Sequence, residues 1–278
     1  YPGFNLRIAE WAKQKGYKVV FYISPQVWAW KEGRVKKMKQ CIDKMLVILP
    51  FEKDYYKNKW NWDVQYVGHP LVEVIDSFVE SQKSKVKSLR SKPTVALLPG
   101  SRKQEILKKL PIMLEVAKHF PGYEFIVAKA PGQEDAFYEP LLQPYNNVSS
   151  VRNETYKLLL QSTAALVTSG TATLETALFG VPEVVCYKGS NISYQIAKRL
   201  IKIKYISLVN LIMDKLVVKE LIQNELTIKN LIQELTLLLQ DKNRIAEIQK
   251  DYADLKHLLS QGGNASAKAA KSIYEFIN

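Results

Sequence analysis

Residues 166–175 read LVTSGTATLE, a short apolar run that passes through a turn of small residues into the beginning of a helix. The N-terminus of a helix carries unpaired N–H groups and a partial positive charge, so it attracts a phosphate. Small residues let that phosphate approach the backbone closely. Glu175, in the second helical turn, can accept hydrogen bonds from ribose hydroxyls. The stretch favours a nucleotide site, although most strand-to-helix turns of α/β proteins bind nothing.

Strands and helices alternate on both sides of this stretch, which is typical of βαβ units and a parallel sheet. The pattern predicts strands at residues 18–23, 44–49, 63–67, 94–98, 123–128, 148–152, 164–168 and 182–187. A polar, lysine-rich segment at 76–92 suits a linker between two domains. A basic amphipathic helix is predicted at 192–203. Beyond Asn210 the pattern predicts helices at 214–224, 228–240, 241–259 and 264–277.

The charge of the chain calls for an anionic partner. The 278 residues carry a net charge of +13, which indicates nucleic acid, an anionic bilayer or a phosphorylated substrate, unless the lysines are merely solvated. The two cysteines and three histidines do not have the spacing of a metal site, so neither a metal nor another cofactor is expected. Free thiols are typical of a reducing cytoplasm.

Two further turns follow predicted strands, at the ends where ligands bind in open α/β sheets. Gly100, Ser101 and Arg102 combine a flexible backbone with a guanidinium that suits phosphate oxygens. A surface arginine in a tight turn explains this pattern equally well. His69, in the turn 68–70, can donate to a substrate oxygen or simply bond to neighbouring backbone. Arg102 and His69 are therefore the candidate catalytic contributors.

An aromatic and basic segment indicates contact with lipid. Its members are Trp28, Trp30, Lys31, Arg34, Lys36 and Lys37. Indole rings favour the bilayer interface, and each lysine near an anionic surface adds about 1 kcal/mol. The alternative is a pair of core or pocket tryptophans beside a solvated helix face.

Several segments together resemble lipid-A-disaccharide synthases in content and order. They are YISPQVWAW (22–30), LPFE (49–52), VGHP (67–70), LPGSR (98–102), SGTATLE (169–175), AKRL (197–200) and YISLVNL (205–211). The WAW and PGSR blocks are specific to that family. The SGTATLE block, with its glycine turn and its glutamate, is shared by many nucleotide-sugar transferases.

The resemblance implies an α/β fold of the GT-B class, with two Rossmann-like domains facing across a cleft and a helical C-terminal segment. It assigns residues 1–85 to an acceptor- and membrane-facing domain and 86–278 to the UDP-sugar-binding domain. The implied reaction is an inverting, metal-free transfer of 2,3-diacylglucosamine from UDP to 2,3-diacylglucosamine 1-phosphate. UDP and lipid A disaccharide 1-phosphate are the products.

The resemblance also implies a setting and a set of partners. The protein is expected at the cytoplasmic face of the inner membrane, bound peripherally to the anionic surface, with no nucleic acid partner. Members of the family can form homodimers that exchange their C-terminal helices.

By position, the resemblance implies a UDP site. Its residues are Gly100, Ser101, Arg102, Ser169, Gly170, Thr171, Glu175 and Asn210, with Glu175 on the ribose. The candidate general base of the family lies in an Asp-x-Pro-Asp-Phe-Asn motif. Here the match begins after the first aspartate, and Gly3 replaces the second. The first domain is therefore expected to be truncated, the base to lie before Tyr1, and the isolated chain to transfer sugar weakly or not at all.

Two other functions remain open at this point. One is another GT-B enzyme of UDP-sugars, such as a UDP-N-acetylglucosamine epimerase, which would be indifferent to acyl chains. The other is a basic nucleic-acid-binding protein, whose binding would depend steeply on salt.

Overall fold

The computed structural model describes residues 2–82, 92–190, 204–261 and 263–278. These residues form two compact units. The first unit contains residues 2–74, 256–261 and 263–278, and the second contains 75–82, 92–190 and 204–255. The helix expected at 192–203, together with the AKRL block, lies outside the described residues.

Helices and strands alternate through both units. The helices, numbered along the chain, are α1 (Pro2–Gln14), α2 (Arg34–Cys41), α3 (Pro50–Trp60), α4 (Pro70–Gln82), α5 (Lys103–Ala117), α6 (Asp135–Leu142), α7 (Thr155–Leu160), α8 (Thr171–Leu178), α9 (Leu208–Met213), α10 (Ile228–Gln240), α11 (Lys242–Ser260) and α12 (Ala265–Ile277). The strands are β1 (Val20–Tyr22), β2 (Lys44–Val47), β3 (Gln65–Tyr66), β4 (Thr94–Leu98), β5 (Glu124–Lys129), β6 (Val148–Arg152), β7 (Ser162–Thr168), β8 (Glu183–Tyr187) and β9 (Lys219–Ile222).

The first unit is built on a parallel sheet in the order β1-β2-β3. The C-terminal helix α12 packs on this sheet, where Ala269 meets Leu46 in a small apolar cluster. Lys44 Nζ donates to the carbonyl oxygen of Ser272 at 3.1 Å. Small residues on one face of α12 allow this close approach. Residues 256–278, which the sequence analysis assigns to the second domain, therefore belong to the first unit where they are described.

The second unit contains a parallel sheet in the order β6-β5-β4-β7-β8-β9. Counted within the unit, this is the order 3-2-1-4-5-6 of a Rossmann fold. All five residues of the central strand β4 are buried, as expected for a strand covered on both faces. The strand order reverses between β4 and β7. Ligands of open α/β sheets bind outside the carboxyl ends of the strands at such a switch point.

The helix predicted at residues 214–224 is wrong. Asp214 ends α9 in the left-handed conformation, with φ of 44°. The chain then forms β9, which pairs with β8 and places Leu221 beside Cys186. A short apolar run fits a strand and a helix equally well by spacing, and here pairing with the open edge of the sheet decides between them.

The linker predicted at residues 76–92 is helical in its first part, because α4 continues to Gln82. The ring of Phe78 packs edge-on against Tyr156 and Phe179, with centroids 5.4 and 6.2 Å apart. Packing of this aromatic ring stabilises this part of the helix. The sequence pattern did not predict a helix here, because most residues around Phe78 are polar. Residues 83–91 lie outside the described part of the chain.

Glu183, at the start of β8, is a fully buried carboxyl group. Neither of its carboxyl oxygens has a hydrogen-bond partner within the described ranges. Burial, with the charge of Glu220 added to it, raises the pKa of Glu183 well above its ordinary value. The folded chain therefore keeps a proton on Glu183 that the unfolded chain releases.

The free energy of unfolding should consequently fall as the pH rises above about 4.3, the pKa of an unperturbed glutamate. Below that value the contribution of Glu183 to stability is fully present. As the pH rises further, this contribution is lost progressively, until the pH has passed the raised pKa of the folded state. Glu183→Gln removes this contribution, which amounts to about 1.4 kcal/mol per pH unit. Denaturant unfolding between pH 5 and 9 measures it, with the exposed Glu139→Gln as the control. The same pH dependence in wild type and Glu183→Gln would contradict the prediction.

Candidate functional site

A pocket of about 360 Å³ lies at the switch point of the second sheet, outside the carboxyl ends of β4 and β7. The turns that follow these two strands form much of its wall. Among the residues lining it are Gly100, Ser101, Ser169, Gly170, Thr171 and Glu175. The structure thus brings these candidate residues together, whereas Arg102 and Asn210 do not line this pocket.

Gly100 turns the chain out of β4 with a φ of 110°. A Cβ atom at this position would lie 3.0 Å from Glu105 Oε2 and 3.4 Å from Thr168 Cγ2. The positive φ and the close neighbours both require glycine. Its bare backbone therefore forms part of the pocket wall.

Arg102 directly precedes α5, and its side chain is 79% exposed. Its Nη1 donates to Glu105 Oε1 at 3.2 Å. Such an exposed ion pair contributes little to stability. The guanidinium is therefore held only loosely, next in sequence to two residues that line the pocket.

Gly170 precedes α8 with φ of 152° and ψ of −163°, a combination accessible essentially to glycine alone. Its carbonyl oxygen accepts a hydrogen bond from Thr173 Oγ1 at 2.8 Å. The N–H group of Thr173 donates to the same carbonyl at 3.2 Å, whereas those of Thr171 and Ala172, at the start of the helix, have no acceptor within the helix. Together with the helix dipole they provide a site for an anionic group.

Glu175 lies on α8 with its carboxylate in the pocket wall. Its Oε1 accepts a hydrogen bond from the Tyr156 hydroxyl at 2.8 Å. Burial raises the pKa of Glu175, and this hydrogen bond partly opposes the shift. Tyr156 orients the carboxylate through one oxygen, and the second oxygen can accept hydrogen bonds from a ligand. Sequence reasoning missed Tyr156, because no local pattern links it to Glu175.

Asn210 is fully buried, and its amide joins α9 to the start of β9. Its Nδ2 donates to Val218 O and Glu220 Oε1, both at 2.9 Å. Its Oδ1 accepts from Val217 N at 2.9 Å and from Val218 N at 3.0 Å. The amide of Asn210 is thus engaged within the protein, which gives it a structural role, while its expected contact with the nucleotide stays a prediction.

Segment 204–213, which Asn210 anchors, also holds the turn after β7. Ser169 Oγ donates to the carbonyl oxygen of Ile206 at 2.9 Å. The backbone N–H of Ile206 in turn donates to Glu220 Oε2 at 3.0 Å. Asn210 therefore reaches the pocket indirectly, through the segment that fixes Ser169.

We expect Asn210→Ala to lower the free energy of unfolding by about 3 kcal/mol, because the buried N–H groups of Val217 and Val218 lose their acceptor and Glu220 loses one of its donors. Denaturant unfolding measures this loss. The exposed Asn243→Ala is the control and should change stability by less than about 0.5 kcal/mol. Unchanged stability of Asn210→Ala, combined with a loss of UDP binding, would contradict the structural role and restore the direct contact.

His69 lies between β3 and α4 and is 6% exposed. Its Nδ1 accepts a hydrogen bond from Leu71 N at 3.3 Å, and its backbone N–H donates to Leu259 O at 3.4 Å. Burial lowers the pKa of His69 to about 4, so the ring is neutral near pH 7. Of the two alternatives for this residue, the structure shows the bond to neighbouring backbone.

The two tryptophans of the first unit have different surroundings. Trp28 Nε1 donates to Glu52 Oε1 at 3.1 Å, and its ring meets Phe51 edge-on at 5.0 Å. Trp30 is 49% exposed, and Lys31 Nζ lies 4.2 Å from the centre of its ring. Trp28 is therefore tied into the fold, whereas Trp30 stays at the surface.

The basic residues of the same segment also separate. Trp30 and Arg34 line a second pocket, of about 410 Å³, in the first unit. Lys37 Nζ donates to Glu10 Oε2 at 2.6 Å, while Lys36 is exposed. Of the aromatic and basic residues predicted to contact lipid, those around Trp30 thus form a surface, whereas Trp28 and Lys37 are engaged within the protein.

Lys109 lies on the buried face of α5, a position that sequence reasoning did not single out. It is 3% exposed, and its Nζ donates to Thr168 Oγ1 at the end of β7. The neighbours on this helix face, Ile106, Leu110 and Met113, are all buried and apolar. The sequence does contain a signal for this position, because Lys109 is a lysine within an apolar helical stripe.

The described part of the chain contains neither a metal-type cluster nor a helix suited to span a membrane. No group of three or more His, Cys, Asp or Glu residues there is placed to hold a metal ion. None of the helices found there has the length and apolar character needed to cross a membrane.

Sequence comparison connects residues 1–275 with the family model described as lipid-A-disaccharide synthetase. The lipid-A-disaccharide synthase of Trichlorobacter lovleyi is 38% identical over 270 residues, covering 95% of this chain and 70% of the relative. The lipid-A-disaccharide synthase of Coxiella burnetii (strain CbuG_Q212) is 38% identical over 283 residues, covering 100% of this chain and 74% of the relative.

Solved structures agree on the fold. UDP-GlcNAc 2-epimerase from Neisseria meningitidis, bound to UDP-GlcNAc, matches with a TM-score of 0.66 at 14% identity, covering 97% of this chain and 73% of the other. The calicheamicin glycosyltransferase CalG4 matches with a TM-score of 0.58 at 15% identity, covering 97% and 70%. With two parallel Rossmann-like sheets, the chain has a fold of the GT-B class. At these identities the likeness concerns the fold alone.

Proposed function

The chain belongs to the lipid-A-disaccharide synthase family, and from this premise we propose how its switch-point pocket serves the transfer of a sugar. As a member it is a hexosyltransferase of lipid A biosynthesis. The reaction joins 2,3-diacylglucosamine, carried by UDP, to 2,3-diacylglucosamine 1-phosphate. A hydroxyl oxygen of the acceptor attacks the anomeric carbon, the bond from that carbon to UDP breaks, and the acceptor proton passes to a base.

UDP occupies the pocket between the turns after β4 and β7. The observation that carries this assignment is the convergence of the Gly100 turn, the N-terminus of α8 and Glu175 on one cavity of about 360 Å³. The diphosphate lies against the N–H groups at Gly170 and Thr171, where helix dipole and free donors favour it. The ribose hydroxyls donate to the carboxylate of Glu175, which Tyr156 orients.

Arg102 stabilises the departing nucleotide. As the bond to the sugar breaks, negative charge develops on the β-phosphate of UDP. A guanidinium can meet phosphate oxygens with two parallel hydrogen bonds. Because Arg102 is exposed and loosely paired with Glu105, it can turn to the diphosphate without breaking a buried contact.

The first unit serves the acceptor and the membrane. Its pocket of about 410 Å³ offers an exposed indole beside the guanidinium of Arg34, a combination suited to an amphipathic, phosphorylated sugar. Trp30, Lys31 and Lys36 attach the protein to the anionic cytoplasmic face of the inner membrane. Co-sedimentation with vesicles, anionic against zwitterionic, tests this attachment.

The protein forms a homodimer that exchanges C-terminal helices. In this structure α12 packs on the sheet of its own chain, with Lys44 bonded to Ser272. The same contacts can form between chains when a partner chain contributes α12. Light scattering on the purified chain tests for the dimer.

A competition experiment with labelled UDP on the 278-residue chain tests the proposed donor. UDP-diacylglucosamine should displace the label at least about tenfold more effectively than UDP-N-acetylglucosamine, since acyl chains add buried apolar area. Equal displacement by the two UDP-sugars would favour the hypothesis of an epimerase and contradict the proposal of a lipid-bearing donor. Binding of RNA with a steep salt dependence, unaffected by UDP, would favour the nucleic-acid reading.

A further inference from the structure

The ammonium group of Lys109 lies behind the wall of the switch-point pocket. It projects from the buried face of α5, and its Nζ donates to the Thr168 hydroxyl. The same Nζ lies 3.6 Å from the point that a Cβ atom of Gly100 would occupy. One ammonium group therefore touches the ends of both strands that flank the switch point.

The charge of Lys109 is only partly compensated by the groups around it. Its hydrogen-bond partner Thr168 is neutral, and Glu105, one turn earlier on α5, pairs with Arg102 at 3.2 Å. Burial lowers the pKa of Lys109, and the charge of Glu105 opposes that shift in part. A buried cation that is only partly compensated destabilises the fold in itself, so the physical reason for keeping it lies in another interaction.

The pocket in front of Lys109 supplies that reason. Gly100, which has no side chain, lines the pocket together with Thr168 and the carboxylate-bearing Glu105, so only a thin wall separates the ammonium from a ligand there. Charges interact strongly across a thin layer of protein from which water is excluded. A diphosphate in the pocket would meet the first turn of α8 on one side and this ammonium on the other.

We propose that Lys109 serves the UDP site from behind the pocket wall, by supplying a buried positive charge that the diphosphate neutralises. This inference rests on the proposed function, because it takes the ligand of the pocket to be a nucleoside diphosphate. It adds a residue that does not line the pocket.

Lys109→Met tests the proposal, because methionine has a similar length and no charge. UDP should bind at least about tenfold more weakly, whereas uridine, which lacks phosphate, should bind within about twofold of wild type. The melting temperature should stay the same or rise, since an apolar side chain replaces a buried charge. A structural role alone would lower stability and weaken both ligands together.

Two further variants sharpen the result. Lys108→Met makes the same charge change on an exposed residue of the same helix and should bind UDP like wild type. Lys109→Gln keeps a hydrogen-bond donor for Thr168 without the charge, and should lose UDP affinity as Lys109→Met does. Wild-type UDP affinity in either Lys109 variant overturns the proposal. A wild-type chain that does not bind UDP would instead refute the proposed function.

Discussion

Arg102→Ala should weaken UDP binding by about 10- to 100-fold, the loss expected for charge-assisted hydrogen bonds to a phosphate. The melting temperature should not change, because the side chain is 79% exposed and its ion pair with Glu105 is solvated. Calorimetric titration with UDP and a thermal melt measure the two quantities. The combination separates a ligand contact from a structural residue.

Two variants control this prediction. Arg102→Lys keeps the charge but loses the planar fork, so it should bind UDP with intermediate affinity. Lys103→Ala removes a charge from the exposed neighbouring position and should bind UDP like wild type. An Arg102→Ala protein with wild-type affinity would show that the PGSR turn does not contact the nucleotide through its arginine.

Gly100→Ala should lower both stability and UDP affinity. The φ of 110° and a Cβ only 3.0 Å from Glu105 Oε2 together cost about 1 to 3 kcal/mol. The end of the Glu105 side chain can give way, but the strain of the positive φ is relieved only when the turn moves, and this displaces the pocket wall. UDP affinity should therefore fall by at least about tenfold, which corresponds to about 1.4 kcal/mol.

Gly180→Ala is the matched control in the same unit. Its φ of 74° also strains an alanine, but its Cβ would meet only Gln249 Oε1, at 3.5 Å. Stability should fall by about 1 kcal/mol, while UDP affinity stays unchanged. If both variants lost UDP affinity equally, the loss would reflect general destabilisation and not the geometry of the pocket.

Local features of the chain could be predicted from the sequence because the residues that form them are neighbours. The strand, turn and helix of residues 162–178 depend on one apolar run, small turn residues and a helical pattern. The family and the GT-B fold were likewise predicted from short blocks, and the comparisons confirm both. The meeting of the Gly100 and Gly170 turns followed once each was placed at the end of a strand.

Features that depend on long-range packing could not be read in this way. The strand β9 exists because β8 offers an open edge, and its apolar spacing alone suits a helix equally well. Asn210 was assigned to the nucleotide, but its partners Val218 and Glu220 approach it only after β9 has paired. The position of α12 on the first sheet depends on contacts between residues more than 200 positions apart, such as Lys44 and Ser272.

A crystal structure of the chain with UDP tests the central claim most directly. We expect the diphosphate at the N-terminus of α8, within hydrogen-bond distance of the backbone at Gly170 and Thr171, and the ribose hydroxyls on Glu175. UDP bound elsewhere, or an empty switch-point pocket at a saturating concentration of UDP, would contradict it.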